Sequence, residues 1–82
     1  MYFVYGIYNP KHNKIYIGQT IDLEERLKFH NSHTFKGYTS KFDGVWQLIY
    51  SEKVDTRQQA LIREKQLKSY RGRQFVKSFI RE

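Results

Sequence analysis

Residues 1–20, MYFVYGIYNPKHNKIYIGQT, hold two short apolar segments on either side of a polar turn. Tyr2 to Tyr8 is aromatic and β-branched, and Ile15 to Ile17 has the same character, so both read as strands. Asn9, Pro10 and Asn13 supply turn chemistry between them, which predicts an antiparallel hairpin. The first strand ends in Gly6-Ile7-Tyr8 and the second carries Tyr16-Ile17-Gly18. Two readings of that pairing stand. The tyrosines and glycines are hairpin packing, with glycine admitting a bulge, or two phenols and a bare backbone line one pocket.

Downstream, Asp22 followed three residues later by Glu25 has the form of a capping box, predicting a helix from about Asp22 to Asn31. At 100° per residue Leu23 and Leu27 mark its buried side, and Arg26 and His30 border that stripe. Asn31 to Gly44 has no clear period and reads as a loop with at most a short turn. It mixes Lys36, Thr39, Ser40 and Lys41 with Phe35, Tyr38 and Phe42, a composition suited to holding phosphates and stacking on bases, or to pinning the loop to a core. Val45 to Glu52 is the third strand, with Trp46, Leu48 and Tyr50 on one face and Val45, Gln47 and Ile49 on the other. Apolar residues on both faces predict a central or helix-covered strand.

Thr56 and Gln59 spell a second capping box, opening a helix that runs through Lys68. Ala60, Leu61 and Leu67 form its apolar arc, and Glu64 projects into the middle of it. A carboxylate there needs a cation. Either Lys68, four residues on, supplies it, or Glu64 is a metal ligand aimed at the hairpin. Gly72 is expected to close this helix in a left-handed cap, and Phe75, Val76, Phe79 and Ile80 give a last amphipathic helix over Arg73–Arg81. The expected fold is α+β, a small three-stranded antiparallel sheet with flanking helices in the order β-β-α-β-α-α.

The totals bound the function. With 82 residues the chain is expected to be a single domain, 1–82, burying only about 60% of its unfolded surface. Fifteen Lys and Arg against eight Asp and Glu give a net charge of +7, combined with seven Tyr, six Phe and one Trp. That mixture favours a polyanionic partner. There is no cysteine, which excludes disulfides and thiolate zinc sites and suits a reducing cytoplasm. The apolar run from Tyr2 to Tyr8 is too short for a signal-peptide core or a membrane span, so no membrane role and a cytoplasmic location are expected.

The two tripeptides, Arg26 ten positions after Tyr16, His30 one helical turn later and Glu64 within a later helix together resemble the GIY-YIG nuclease superfamily over nearly the whole chain, and its small stand-alone members in particular. The resemblance implies a metal-dependent DNA endonuclease or nickase. It makes Tyr8 the general base, Tyr16 its positioning partner, Arg26 the clamp on the scissile phosphate, and Glu64 the one protein ligand of a divalent ion, Mg²⁺ or Mn²⁺. A phenol serves as a base at neutral pH only if nearby positive charge or a second base assists it. His30 is the first candidate and Lys11 the second, because a lysine in a turn is most often solvated. Lys11, Lys36, Thr39, Ser40, Lys41 and Arg73 are the expected nucleic-acid contacts, Arg73 as part of a helix start able to hold a phosphate.

Many members of the superfamily also carry an asparagine after the Glu-bearing helix, whereas this chain has none beyond Asn31. Gln74, or the backbone near Gly72 and Arg73, is expected in its place. That departure supports the alternative reading, a nucleic-acid-binding module of the same fold with little or no catalysis. DNA is the expected partner, and an accessory protein or a homodimer stays open.

Overall fold

A computed structural model describes residues 1–32 and 37–80 of the chain. The expected element order holds: β1 (Tyr2–Asn9), β2 (Lys14–Thr20), α1 (Leu23–Ser32), a single 3-10 turn (Thr39–Lys41), β3 (Gln47–Val54), α2 (Arg57–Leu67) and α3 (Tyr70–Lys77). The sheet is antiparallel in the order β2-β1-β3, which makes β1 the central strand and β3 an edge. Of the two expectations for the third strand, the central position is therefore corrected, while cover by helices holds. β3 looked doubly buried because a bulge interrupts its alternation: Gly6 pairs with Tyr50 and Ile7 with Leu48, so Ile49 is the extra residue. Ile49 and Tyr50 then both pack against the core formed with α2 and α3, while Trp46, just before the strand, is buried with Tyr5 and Ile7.

Each face of the sheet has its own core. Val4, Tyr8, Ile15 and Ile17 meet Ala60 and Leu67 of α2 and Val76 of α3. Tyr5, Ile7 and Trp46 form the other core, with Leu23 and Leu27 of α1 and Tyr16 packed against it. Within β1 the separation follows from the period of two, which sends alternate side chains to opposite faces. Asn31, near the end of α1, ties that helix to the approach to β3. Its side-chain oxygen accepts the Trp46 N–H at 2.7 Å and its amide donates to the Trp46 carbonyl at 3.1 Å, standing in for a strand partner.

The helix starts follow their caps. Asp22 Oδ1 accepts the Glu25 N–H at 3.1 Å, and Thr56 and Gln59 form the complete reciprocal box expected of them. Two readings at the C-terminal end are corrected. Gly72 does not end α2 in a left-handed cap; it lies inside α3, whose N-cap Ser69 accepts the Gly72 N–H at 3.1 Å. A Cβ at Gly72 would stand 2.3 Å from the Gln66 carbonyl oxygen and 2.4 Å from Leu67 Cα, so a bare backbone is what lets α3 fold back on the end of α2. The last helix is accordingly earlier than expected, and of its apolar residues only Val76 is fully buried, with Phe75 and Phe79 partly exposed. Leu61, expected in the buried arc of α2, is exposed as well. Among the described residues no helix is long and apolar enough to cross a membrane.

Because the obstruction at Gly72 is backbone and cannot rotate away, Gly72→Ala should destabilise the fold by roughly 1–3 kcal/mol, the usual cost of overpacking. Urea titration followed by circular dichroism measures this, and an unchanged midpoint would show that the α2–α3 corner has slack.

Candidate active site

The hairpin register decides which side chains meet. Ile7 pairs with Tyr16 and Tyr5 with Gly18, so Tyr5, Ile7, Tyr16 and Gly18 share a face. Gly18 provides the space. A Cβ on it would lie 2.8 Å from the Tyr5 hydroxyl oxygen and 3.1 Å from the Tyr16 ring, so the Tyr5 ring crosses β2 only over bare backbone. The glycine of the second tripeptide thus makes room for the Tyr5 ring, which stays buried at 3% exposure.

There Tyr5 meets α1. Its hydroxyl is 2.8 Å from His30 Nε2, and His30 Nδ1 is 2.8 Å from the hydroxyl of Thr39. His30 and Thr39 are both fully buried. Tyr16 packs on the same imidazole, ring centroids 5.0 Å apart, and lies 6.4 Å from the Tyr5 ring. Burial and the nearby Arg26 guanidinium lower the His30 pKa to about 4, so the imidazole is neutral at physiological pH. Burial, with the neighbouring Tyr16 and Glu64, raises the Tyr5 pKa above its ordinary value, against a smaller opposing pull from Arg26. Tyr5 is therefore a neutral phenol beside a neutral imidazole.

Arg26 and Glu64 stand on different helices, α1 and α2. Arg26 is exposed on α1, with its guanidinium 5.6 Å from the Phe29 ring centroid. Glu64, on α2, keeps 19% of its side chain exposed and pairs with Lys68 at 2.7 Å. α2 packs on the opposite face of the sheet, and the Glu64 carboxylate is the smallest of the influences on the Tyr5 phenol. β2 is an edge strand, so both faces open onto one rim. A cavity of about 200 Å³ at that rim is lined by Ile15, Tyr16, Ile17, Tyr38, Lys68 and Arg73.

Tyr8, expected as the general base, is not in this group. Being one strand position from Ile7, it belongs to the core with α2 and α3, and its hydroxyl donates to Asn13 Oδ1 at 3.2 Å. The phenol brought to His30 and Tyr16 is Tyr5, which the sequence reading missed. Parity of the hairpin could have found it: with Asn9 opposite Lys14, the residues of β1 that share the face of Tyr16 are odd-numbered.

The expected nucleic-acid contacts divide. Arg73 lines the rim cavity and Lys41 is exposed, but Thr39 is buried against His30 and Ser40 is engaged with the backbone of Gly37. Lys11 ion-pairs with Asp43, whose carboxyl is held down at about 2 by hydrogen bonds from Lys11 and His12. Lys36 lies outside the described residues.

The GIY-YIG catalytic domain model matches residues 1–76, nearly the whole chain. The chain belongs to the GIY-YIG family. Among curated proteins it is 43% identical over 56 residues to a UPF0213 protein of Haloquadratum walsbyi, covering 68% of this chain and 62% of that protein. It is 35% identical over 69 residues to a UPF0213 protein of Staphylococcus saprophyticus, covering 84% of this chain and 82% of that one. The alignment thus spans less than two thirds of the first relative. No solved structure matches. The GIY-YIG domain is a nuclease-type catalytic domain, and both tripeptides that name it lie in the hairpin that organises this rim.

A divalent ion is the expected cofactor of such a domain. Among the described residues no three His, Cys, Asp or Glu side chains converge on a metal position. A lone carboxylate such as Glu64, 19% exposed and paired with Lys68, is the kind of ligand a hard cation that keeps most of its water ligands accepts.

The low His30 pKa makes stability depend on pH. Below about 6.5 the unfolded chain protonates His30 while the native protein does not until about 4. Folding stability should therefore hold above pH 6.5 and fall as the pH drops toward 4, by up to about 3 kcal/mol. Urea midpoints across that window measure the slope, and His30→Gln should flatten it; an equal slope in the variant would place the titration elsewhere.

Proposed function

We propose that this chain is a metal-dependent DNA endonuclease or nickase in which Tyr5, rather than Tyr8, is the base. The observation that carries this reading is the hydrogen-bonded row Tyr5–His30–Thr39 beside Tyr16, on a helix-packed hairpin within the charge influence of Arg26. Cleaving a phosphodiester requires a proton acceptor for the attacking water, positive charge for the crowded phosphoryl oxygens, and relief for the leaving 3′ oxygen.

A neutral phenol beside a neutral imidazole can act as a relay. With His30 Nδ1–H donating to Thr39, Nε2 accepts the Tyr5 hydroxyl proton, and the phenolic oxygen keeps a lone pair for the water. As the water attacks phosphorus, its proton passes to the Tyr5 oxygen while the Tyr5 proton passes to His30. No free phenolate has to form, which fits a phenol whose pKa is raised rather than lowered. Arg26 offsets the charge gathering on the phosphoryl oxygens, and Tyr16 orients the phosphate against Tyr5. Glu64 would hold the divalent ion, which supplies charge for the leaving oxygen; Lys68 must then release that carboxylate.

The pairing of Glu64 with Lys68, together with the missing asparagine, favours a second reading: a nucleic-acid-binding module that has kept the fold and the charge. It predicts salt-sensitive binding that survives loss of Tyr5 or Glu64.

Incubation with supercoiled, nicked, branched and single-stranded DNA in Mg²⁺ or Mn²⁺ separates the two. The nuclease reading predicts cleavage that Tyr5→Phe and Glu64→Ala each reduce on the order of 100-fold or more, in line with loss of a general base, while Tyr8→Phe stays within a few-fold of the parent. No cleavage of any substrate, or cleavage indifferent to Glu64, would remove it. Sensitivity to Tyr8 with indifference to Tyr5 would overturn the assignment of the base.

A further inference from the structure

The rim cavity contains a group that the proposed chemistry does not use. Tyr38, in the turn just before Thr39, lays its ring over Tyr16 with centroids 6.0 Å apart and planes inclined by 23°. Phe42 supports it from the side at 5.2 Å, and Lys14 stands 5.9 Å from the Phe42 ring. Tyr38 remains 41% exposed, a large aromatic left open to water when burying it would favour the fold. Lys68 and Arg73 line the same cavity, and Lys68 keeps 47% of its side chain exposed despite its pairing with Glu64.

An exposed aromatic ring bordered by cations is complementary to one kind of ligand, a flat π-face carried on an anionic backbone. A base inside a duplex has both faces covered by its neighbours and offers this ring only an edge. We propose that Tyr38 is a stacking platform for one unpaired nucleobase, with Lys68 and Arg73 receiving the phosphates next to it, so that the preferred substrate is a single strand or an unpaired stretch of DNA. This rests on the nuclease reading of the same rim. A base stacked on Tyr38 sits next to Tyr16, the residue that the nuclease reading gives the task of orienting the phosphate.

Fluorescence anisotropy on the full chain tests the platform without cleavage. An end-labelled DNA strand, alone and annealed to its complement, is titrated in EDTA with the parent protein, Tyr38→Ala and Tyr38→Phe. The parent should bind the single strand about tenfold or more tightly than the duplex. Stacking of one base on an aromatic side chain corresponds to roughly 5- to 150-fold in affinity. Tyr38→Ala should lose a factor in that range on the single strand and almost nothing on the duplex, and Tyr38→Phe, which keeps the π-face, should behave like the parent. Arg73→Gln should flatten the salt dependence by about one phosphate contact.

Equal affinity of the parent for both DNA forms would overturn the proposal. So would equal losses by Tyr38→Ala on both forms, or a Tyr38→Phe variant as weak as Tyr38→Ala. Failure here is distinct from failure of the nuclease reading: Tyr38-independent binding with Tyr5-dependent cleavage removes only the platform, whereas Tyr38-dependent binding with no cleavage of any DNA removes only the chemistry.

Discussion

The candidate site depends on the register of one hairpin. Asn9 opposite Lys14 fixes which residues of β1 share a face with Tyr16, and a slip of one residue would send every side chain to the other side. Gly18 adds a second condition, because only a position without a Cβ leaves room for the Tyr5 ring over β2. Both conditions act on an edge strand.

Burial gives the group its chemical character. His30 has lost its contact with water but keeps a hydrogen-bond partner at each ring nitrogen, so it stays neutral without leaving a buried polar atom unsatisfied. The hydroxyl of Thr39 is well placed to hold the proton on Nδ1, leaving Nε2 to receive from Tyr5. A phenol with a raised pKa would be a poor base alone. In the proposed relay, coupled to a neutral imidazole, it needs only to pass a proton along, which leaves the positive charge of Arg26 for the phosphate.

Much of the fold was legible in the sequence because its signals are local. The turn residues between Asn9 and Asn13, the Thr56–Gln59 box and the order of apolar segments each act over a few positions and led to the right elements. Three features were not legible, each for a physical reason. The bulge at Ile49 breaks the period of two, so the apolar pattern of β3 could not tell a helix-covered edge strand from a central one. Gly72 reads as a helix end, but its lack of a Cβ serves close packing of α3 on α2. The Gly6-Ile7-Tyr8 word pointed to Tyr8, whereas strand pairing selects Tyr5; the glycine of that word admits Val76, whose Cγ1 would lie 2.6 Å from a Cβ at position 6.

The most direct test of this account is the long-range ¹H–¹⁵N spectrum of the His30 imidazole, recorded near pH 7 on the parent, Tyr5→Phe and Tyr8→Phe. A neutral ring protonated at Nδ1 is predicted, with an Nε2 resonance that moves when the Tyr5 hydroxyl is removed and stays in place when that of Tyr8 is removed. An Nε2 resonance that responds to Tyr8 and ignores Tyr5 would contradict the register on which the site is built.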